Sequence, residues 1–168
     1  MELKFRDLTE EDIDVRVQSV KTNGLVLLLY KDARCDMAIL DETVGVTRWQ
    51  RKHSRENANC TVSIYDNDLK EWISKEDTGT ESNTEAEKGL ASDSFKRACF
   101  NWGIGRELYT APFIWIPSKK CNINQGKCFD KFRVEKIKIE NKKITGLAIW
   151  NDTKNVRAYV WQPQQKGT

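Results

Sequence analysis

Apolar and polar residues follow two different periods along this chain, and the changes of period mark its elements. Between Leu25 and Val44, Leu29, Ala33, Met37 and Leu40 recur at spacings of four, four and three. That rhythm predicts an amphipathic helix stopped by Gly45. Val44, Val46, Thr47 and Trp49 then begin a strand that runs into Arg51, Lys52 and His53. The cluster SRENAN is a turn, CTVSIY (Cys60 to Tyr65) a second strand, and DNDLK another turn. EWISK (Glu71 to Lys75), where apolar Trp72 alternates with polar neighbours, completes a three-stranded antiparallel meander. Thr84 and Glu87 form a capping box that opens a long helix. Ala91, Phe95, Ala98 and Trp102 are its apolar stripe, and Gly103 and Gly105 end it. Beyond it, PFIWIP reads as a short strand, and FRVEKIKIE, KITGLAIW and VRAYVW as three more. Asn141-Lys142 and Asn151-Asp152 supply the turns that make these C-terminal β-hairpins. Strands and helices are segregated rather than alternating, so the predicted class is α+β: an N-terminal helix, a meander, a long helix and C-terminal hairpins.

A length of 168 residues predicts one domain with a full hydrophobic core. The longest apolar run, Leu25 to Tyr30, is six residues, far below the ~20 that span a bilayer. The N-terminal MELKFRDLTEED is acidic and has no apolar core of a secretory leader, so a soluble, cytoplasmic protein without a membrane partner is expected. The net charge of +3 conceals a gradient. Residues 1–95 hold 13 basic and 20 acidic side chains, and residues 96–168 hold 15 and 5. This segregation predicts a basic surface suited to a polyanion and an acidic one able to meet a neighbouring copy; an unevenly charged, solvated surface explains it equally well.

Five cysteines, none in a C-x-x-C pair, and a single histidine offer no local zinc site, and reduced thiols are expected. Ser-His or Cys-His chemistry would rest on His53, inside the basic run RWQRKHSR, where the cationic neighbours are read as unfavourable to a neutral general base. Asp68-Leu-Lys70 and Asp152-Thr-Lys154 satisfy the D-x-K part of a nuclease signature, but neither has a clear second carboxylate. The Gly103-Ile-Gly105 pair follows a helix instead of preceding one, which argues against a phosphate-cradling loop. No catalytic residue, metal or cofactor is assigned.

The remaining chemistry is cationic. On the long helix, Lys88, Lys96 and Arg97 lie off the apolar stripe, with Lys88 about two turns before Lys96, a spacing of ~12 Å suited to successive phosphates. Arg48, Arg51, Lys52 and Arg55 cluster on the first meander strand and its turn. Alternation places Arg48 and Lys52 on one face and Trp49 and Arg51 on the other. Basic groups beside an aromatic suit single-stranded nucleic acid, whose phosphates need charge and whose unstacked bases need a platform. A solvated helix face and core tryptophans are the ordinary alternatives.

Glu76-Asp77-Thr78-Gly79, followed by Lys88, Asp93, Lys96-Arg97-Ala98 and Trp102-Gly103, resembles the single-strand annealing family of Rad fifty-two and the phage Sak-type annealing proteins. The D-x-x-K-R-A helix is the most specific part, and EEDIDVRVQSV is similar to the family's N-terminal region. The likeness covers about residues 8–110; the hairpins at about 113–162 have no counterpart. It implies a β-β-β-α core that assembles side by side into a homo-oligomeric ring or filament, with single-stranded DNA in a basic groove. Lys96 and Arg97 then match the helix pair that contacts the DNA backbone, Lys88 a further cation, and Arg16 an arginine of the N-terminal segment, whereas Phe100 stands where relatives carry another basic residue. The implied function is ATP-independent annealing of complementary strands in recombination and repair, as a phage-encoded recombinase in a bacterial host. A phage exonuclease or the host single-strand binding protein would be its helpers. Single-strand binding without annealing, or a metal-dependent nuclease, are the alternatives.

Overall fold

The computed structural model describes residues 2–80 and 86–164, the side chains of residues 86–88 excepted. The capping box expected at Thr84 and Glu87 and the side chain of Lys88 lie outside the described residues. In chain order the elements are β1 (Asp14–Lys21), β2 (Gly24–Tyr30), α1 (Ala33–Val44), β3 (Trp49–Ser54), β4 (Asn59–Asp66) and β5 (Glu71–Thr78). They continue with α2 (Ala86–Asn101), β6 (Ile114–Pro117), β7 (Phe132–Glu140), β8 (Lys143–Asn151) and β9 (Val156–Trp161). The class is α+β, with three antiparallel sheets ordered β1-β2-β6, β3-β4-β5 and β7-β8-β9. No helix among the described residues is long and apolar enough to cross a membrane.

The predicted helix from Leu25 to Val44 is in fact a strand followed by a shorter helix. GLVLLLY is the middle strand of its sheet, with Leu25, Val26, Leu27 and Leu29 buried, so both of its faces are covered. A strand buried on both faces loses its polar alternation, and a short apolar run then fits either period. Only from Ala33 does the helical spacing act, burying Ile39 and Leu40. That helix continues through Val44, so the following strand starts at Trp49 and not at Val44. Gly45, at φ 93°, ends it as its N–H reaches the Asp41 carbonyl at 2.9 Å.

The chain, expected from its length to be one domain, divides into two compact units. Unit 1 comprises Met1–Arg6 and Ala33–Gly105 and contains α1, the β3-β4-β5 sheet and α2. Cys60, Val62 and Ile64 of the central strand are fully buried, as are Phe95 and Ala98 of α2, which packs against β4 and β5. Trp102 closes the stripe by donating its indole N–H to the Val62 carbonyl at 2.9 Å.

Unit 2 comprises Asp7–Asp32 and Arg106–Thr168 and contains the other two sheets, which adjoin where β1 meets β7 and β6 meets β9. Three side chains tie its distant segments together. Fully buried Glu107 accepts the Leu8 N–H at 2.9 Å and lies 3.9 Å from the Lys142 ammonium. Glu10 accepts the Ile137 N–H at 3.0 Å, and the Thr110 hydroxyl accepts that of Ile144 at 2.8 Å. Asn141 and Lys142, at φ 52° and 59°, make the two-residue turn between β7 and β8, as their sequence predicts.

Charge is spread more evenly between these units than between the two stretches of sequence. Unit 1 carries 12 basic and 14 acidic residues and unit 2 carries 16 and 11, so the contrast of −7 and +10 shrinks to −2 and +5. The acidic segment 7–32 folds with the basic hairpins and offsets their charge.

Candidate nucleic-acid interface

Residues of the E-D-x-G and D-x-x-K-R-A stretches meet in unit 1, where the end of β5 crosses α2. A Cβ on Gly79 would lie 2.6 Å from the Ser94 backbone nitrogen, so only glycine lets the strand end come this close to the helix. Asp93 accepts the Thr80 N–H at 2.7 Å. Asp77 faces the Arg97 Nε at 3.5 Å and accepts an N–H of the Asn101 amide at 3.2 Å. Four of the motif residues, Asp77, Gly79, Asp93 and Arg97, thus form a strand-to-helix clamp.

The register of the sheet decides which side chains face α2. Trp49 pairs with Ile64, Arg51 with Val62 and His53 with Cys60, so these β3 residues share the helix-covered face. Trp49 stacks on Phe95 at 5.9 Å and donates its indole N–H to Asp41 at 2.6 Å, and the Arg51 guanidinium lies 4.6 Å from the Phe95 ring. The opposite face bears Lys52, the Ser63 and Ser74 hydroxyls 2.7 Å apart, and the cross-strand pair Tyr65 and Trp72. Tyr65 and Trp72 meet edge to face at 5.5 Å, and the Arg48 guanidinium covers the Tyr65 ring at 5.1 Å. Trp72 remains 42% exposed, and Arg48 and Lys52 are exposed. An aromatic pair with Arg48 over one ring, and Lys52 opposite Thr61 further along β3, is therefore presented on the outer face of the sheet.

The sequence-predicted cations are distributed over several surfaces. Arg48 and Lys52 lie on this outer face and Arg51 at the helix-covered face. Arg97 is half-exposed and engaged with Asp77. Lys96 is partly exposed on α2. Arg16 lies in unit 2, where its guanidinium sits 5.4 Å from the Tyr30 ring. Trp49, the aromatic that the sequence pointed to, is a packing residue. The stacking groups available are Tyr65 and Trp72, which sequence reasoning missed. Trp72 and Ile73 are adjacent apolar residues, so alternation alone left the phase of β5 open; the pairing Tyr65 to Trp72 settles it.

His53 also corrects an expectation. Burial, and then the Arg51 charge, push its pKa below 6.5, so the cationic setting favours the neutral imidazole. Its Nδ1 lies 3.4 Å from the Ser94 hydroxyl, but that hydroxyl is fully buried and donates to the Asn57 carbonyl at 2.8 Å, a packing role. Asp68 of the first D-x-K triplet is in unit 1 and Asp152 of the second is in unit 2, ion-paired with Arg133 at 2.9 Å. Among the described residues no group of three His, Cys, Asp or Glu side chains could hold a metal ion.

No family model, curated protein or solved structure matches the chain.

Proposed function

We propose that this protein binds single-stranded DNA and anneals complementary strands without a nucleotide cofactor. The observation that carries the reading is the outer face of the β3-β4-β5 sheet, where Tyr65 and exposed Trp72 pair beside Arg48, with Lys52 further along β3 on the same face. Stacked bases need a π-face and phosphates need charge, and an open sheet surface holds a strand without enclosing its pairing edges. The clamp joining Asp77 and Gly79 to Asp93 and Arg97 gives the motif residues a physical reason, and the order β3-β4-β5-α2 is compatible with the β-β-β-α core that the resemblance implies. In this reading Lys96, Arg97 and Lys88 bind backbone phosphates when copies assemble into a ring or filament, and Arg16 adds to the groove. A phage exonuclease and the host single-strand binding protein would be the working partners in the bacterial cytoplasm.

Titration of a labelled oligothymidylate at several salt concentrations tests the binding. Trp72→Ala should lower affinity by the ~1–3 kcal/mol of one base stack, roughly 5- to 150-fold. Arg48→Ala with Lys52→Ala should flatten the slope of log affinity on log salt by about 1.4. Unchanged affinity and slope in both variants would remove the outer face from the function. A mass measurement of the full chain that finds a ring or filament supports annealing; a monomer with intact binding favours a plain single-strand binder.

A further inference from the structure

The β7-β8-β9 sheet of unit 2 carries a second surface of the same chemical kind. On its outer side a trough of about 600 Å³ runs over Gly146 and Ala148 of β8, between Lys136 and Lys138 of β7 and Val160 of β9. The register sets cations against floor positions one by one: Arg133 pairs with Trp150, Lys136 with Ala148 and Lys138 with Gly146. One row is positive, and the parallel row is flat and apolar with an indole at its end. The Arg133 guanidinium lies 5.9 Å from the Trp150 ring.

Arg133 is taken up by a carboxylate, which leaves Lys136 and Lys138 as the cations beside the trough. Glu135 is held by Arg157 through two contacts of 2.8 and 2.7 Å, and Asp152 pairs with Arg133 at 2.9 Å. Glu140 is 3.8 Å from Lys138, both largely exposed, so that pair is weak. Lys136 and Lys138 alternate on one strand and stand ~6.7 Å apart. Gly146 is fitted to the trough, because a Cβ there would lie 3.2 Å from the Lys138 Cβ and raise the floor between the rows.

The geometry points to this trough as a second single-strand nucleic-acid site, with phosphates along Lys136 and Lys138 and bases over Ala148, Gly146 and Val160. Charge complementarity selects a polyanion, and the repeated pairing of cation with flat floor selects one whose anionic and planar groups run in parallel rows. The inference rests on the reading of the chain as a single-strand binder and extends it: each unit then has its own strand-binding surface.

The test uses the full chain and an oligothymidylate. In the unaltered protein, NMR titration should shift the amides of Lys136, Lys138, Gly146 and Ala148. Lys136→Ala with Lys138→Ala should flatten the salt slope by about 1.4, additively with Arg48→Ala and Lys52→Ala. If the unaltered chain binds no oligonucleotide, the proposed function fails and this inference with it. If it binds, and only the variants on the β3-β4-β5 face weaken it while the trough amides stay still, this inference alone is overturned. Displacement of those amide signals by an acidic peptide but not by oligothymidylate would likewise overturn it.

Discussion

Gly79→Ala has an effect whose sign depends on one contact. Gly79 does not occupy the left-handed region, so an alanine there meets no backbone strain. Taken alone, the exchange reduces the freedom of the unfolded chain and stabilises by about 0.4–1 kcal/mol. The close approach of α2 reverses this. The new Cβ would stand 2.6 Å from the Ser94 nitrogen, 3.0 Å from its Cα and 3.1 Å from the Asp93 carboxylate. The first two are backbone atoms of a helix and cannot rotate away, so strand and helix must part. Overpacking of this kind costs about 1–3 kcal/mol, and parting also stretches the Thr80-to-Asp93 hydrogen bond. Less the gain through the unfolded chain, the net cost is about 0–2.6 kcal/mol. At 2–4 °C per kcal/mol for a chain of this size, Gly79→Ala should lower the melting temperature by up to about 10 °C. Thermal denaturation followed by circular dichroism reads it directly, with Gly45→Ala as comparison. Gly45 has φ 93° and nothing within 4 Å of its would-be Cβ, so its loss is backbone strain of about 1–2 kcal/mol alone. A rise in melting temperature for Gly79→Ala would refute the clamp.

Two further outcomes concern titration. His53 is held below its ordinary pKa by burial and by Arg51, so the unfolded chain takes up its proton first as pH falls. Its contribution to stability is full above about 6.5 and is lost as pH falls through the folded value. The melting temperature of the unaltered chain should therefore drop between pH 7.5 and 5.5 by more than that of His53→Gln, and equal drops would contradict the assignment. Burial pushes the Cys60 thiol up to about 11, which leaves about one molecule in a thousand as thiolate at pH 8. Mass spectrometry after brief iodoacetamide treatment should find Cys35, which is partly exposed, alkylated before Cys60; equal labelling would show that the sheet opens.

Local chemistry was legible in the sequence, and long-range placement was not. The β7-β8 turn could be read because Asn141 and Lys142 adopt the left-handed conformations such a turn demands. The end of α2 could be read from Gly103 and Gly105, both at positive φ. The strand Gly24–Tyr30 could not, because a run buried on both faces carries no period. The division into two units was hidden because it depends on bonds between distant residues, such as Leu8 with Glu107 and Glu10 with Ile137. Those bonds also explain why splitting the charge at residue 95 misled. At the candidate interface, the cations of β3 and α2 were found from composition and resemblance. The aromatic pair Tyr65 and Trp72 was not, since it exists only once β4 and β5 are in register.

The most direct test of the central claim is the rate at which two complementary, dye-labelled oligonucleotides pair in the presence of the full chain without ATP. The unaltered protein should accelerate pairing well beyond the protein-free rate, and Trp72→Ala should lose most of that acceleration while staying folded, its melting temperature lowered only by the few degrees of the lost Tyr65 contact. No acceleration by the unaltered chain, or acceleration undiminished from the unaltered rate in both Trp72→Ala and Arg48→Ala with Lys52→Ala, would contradict the account.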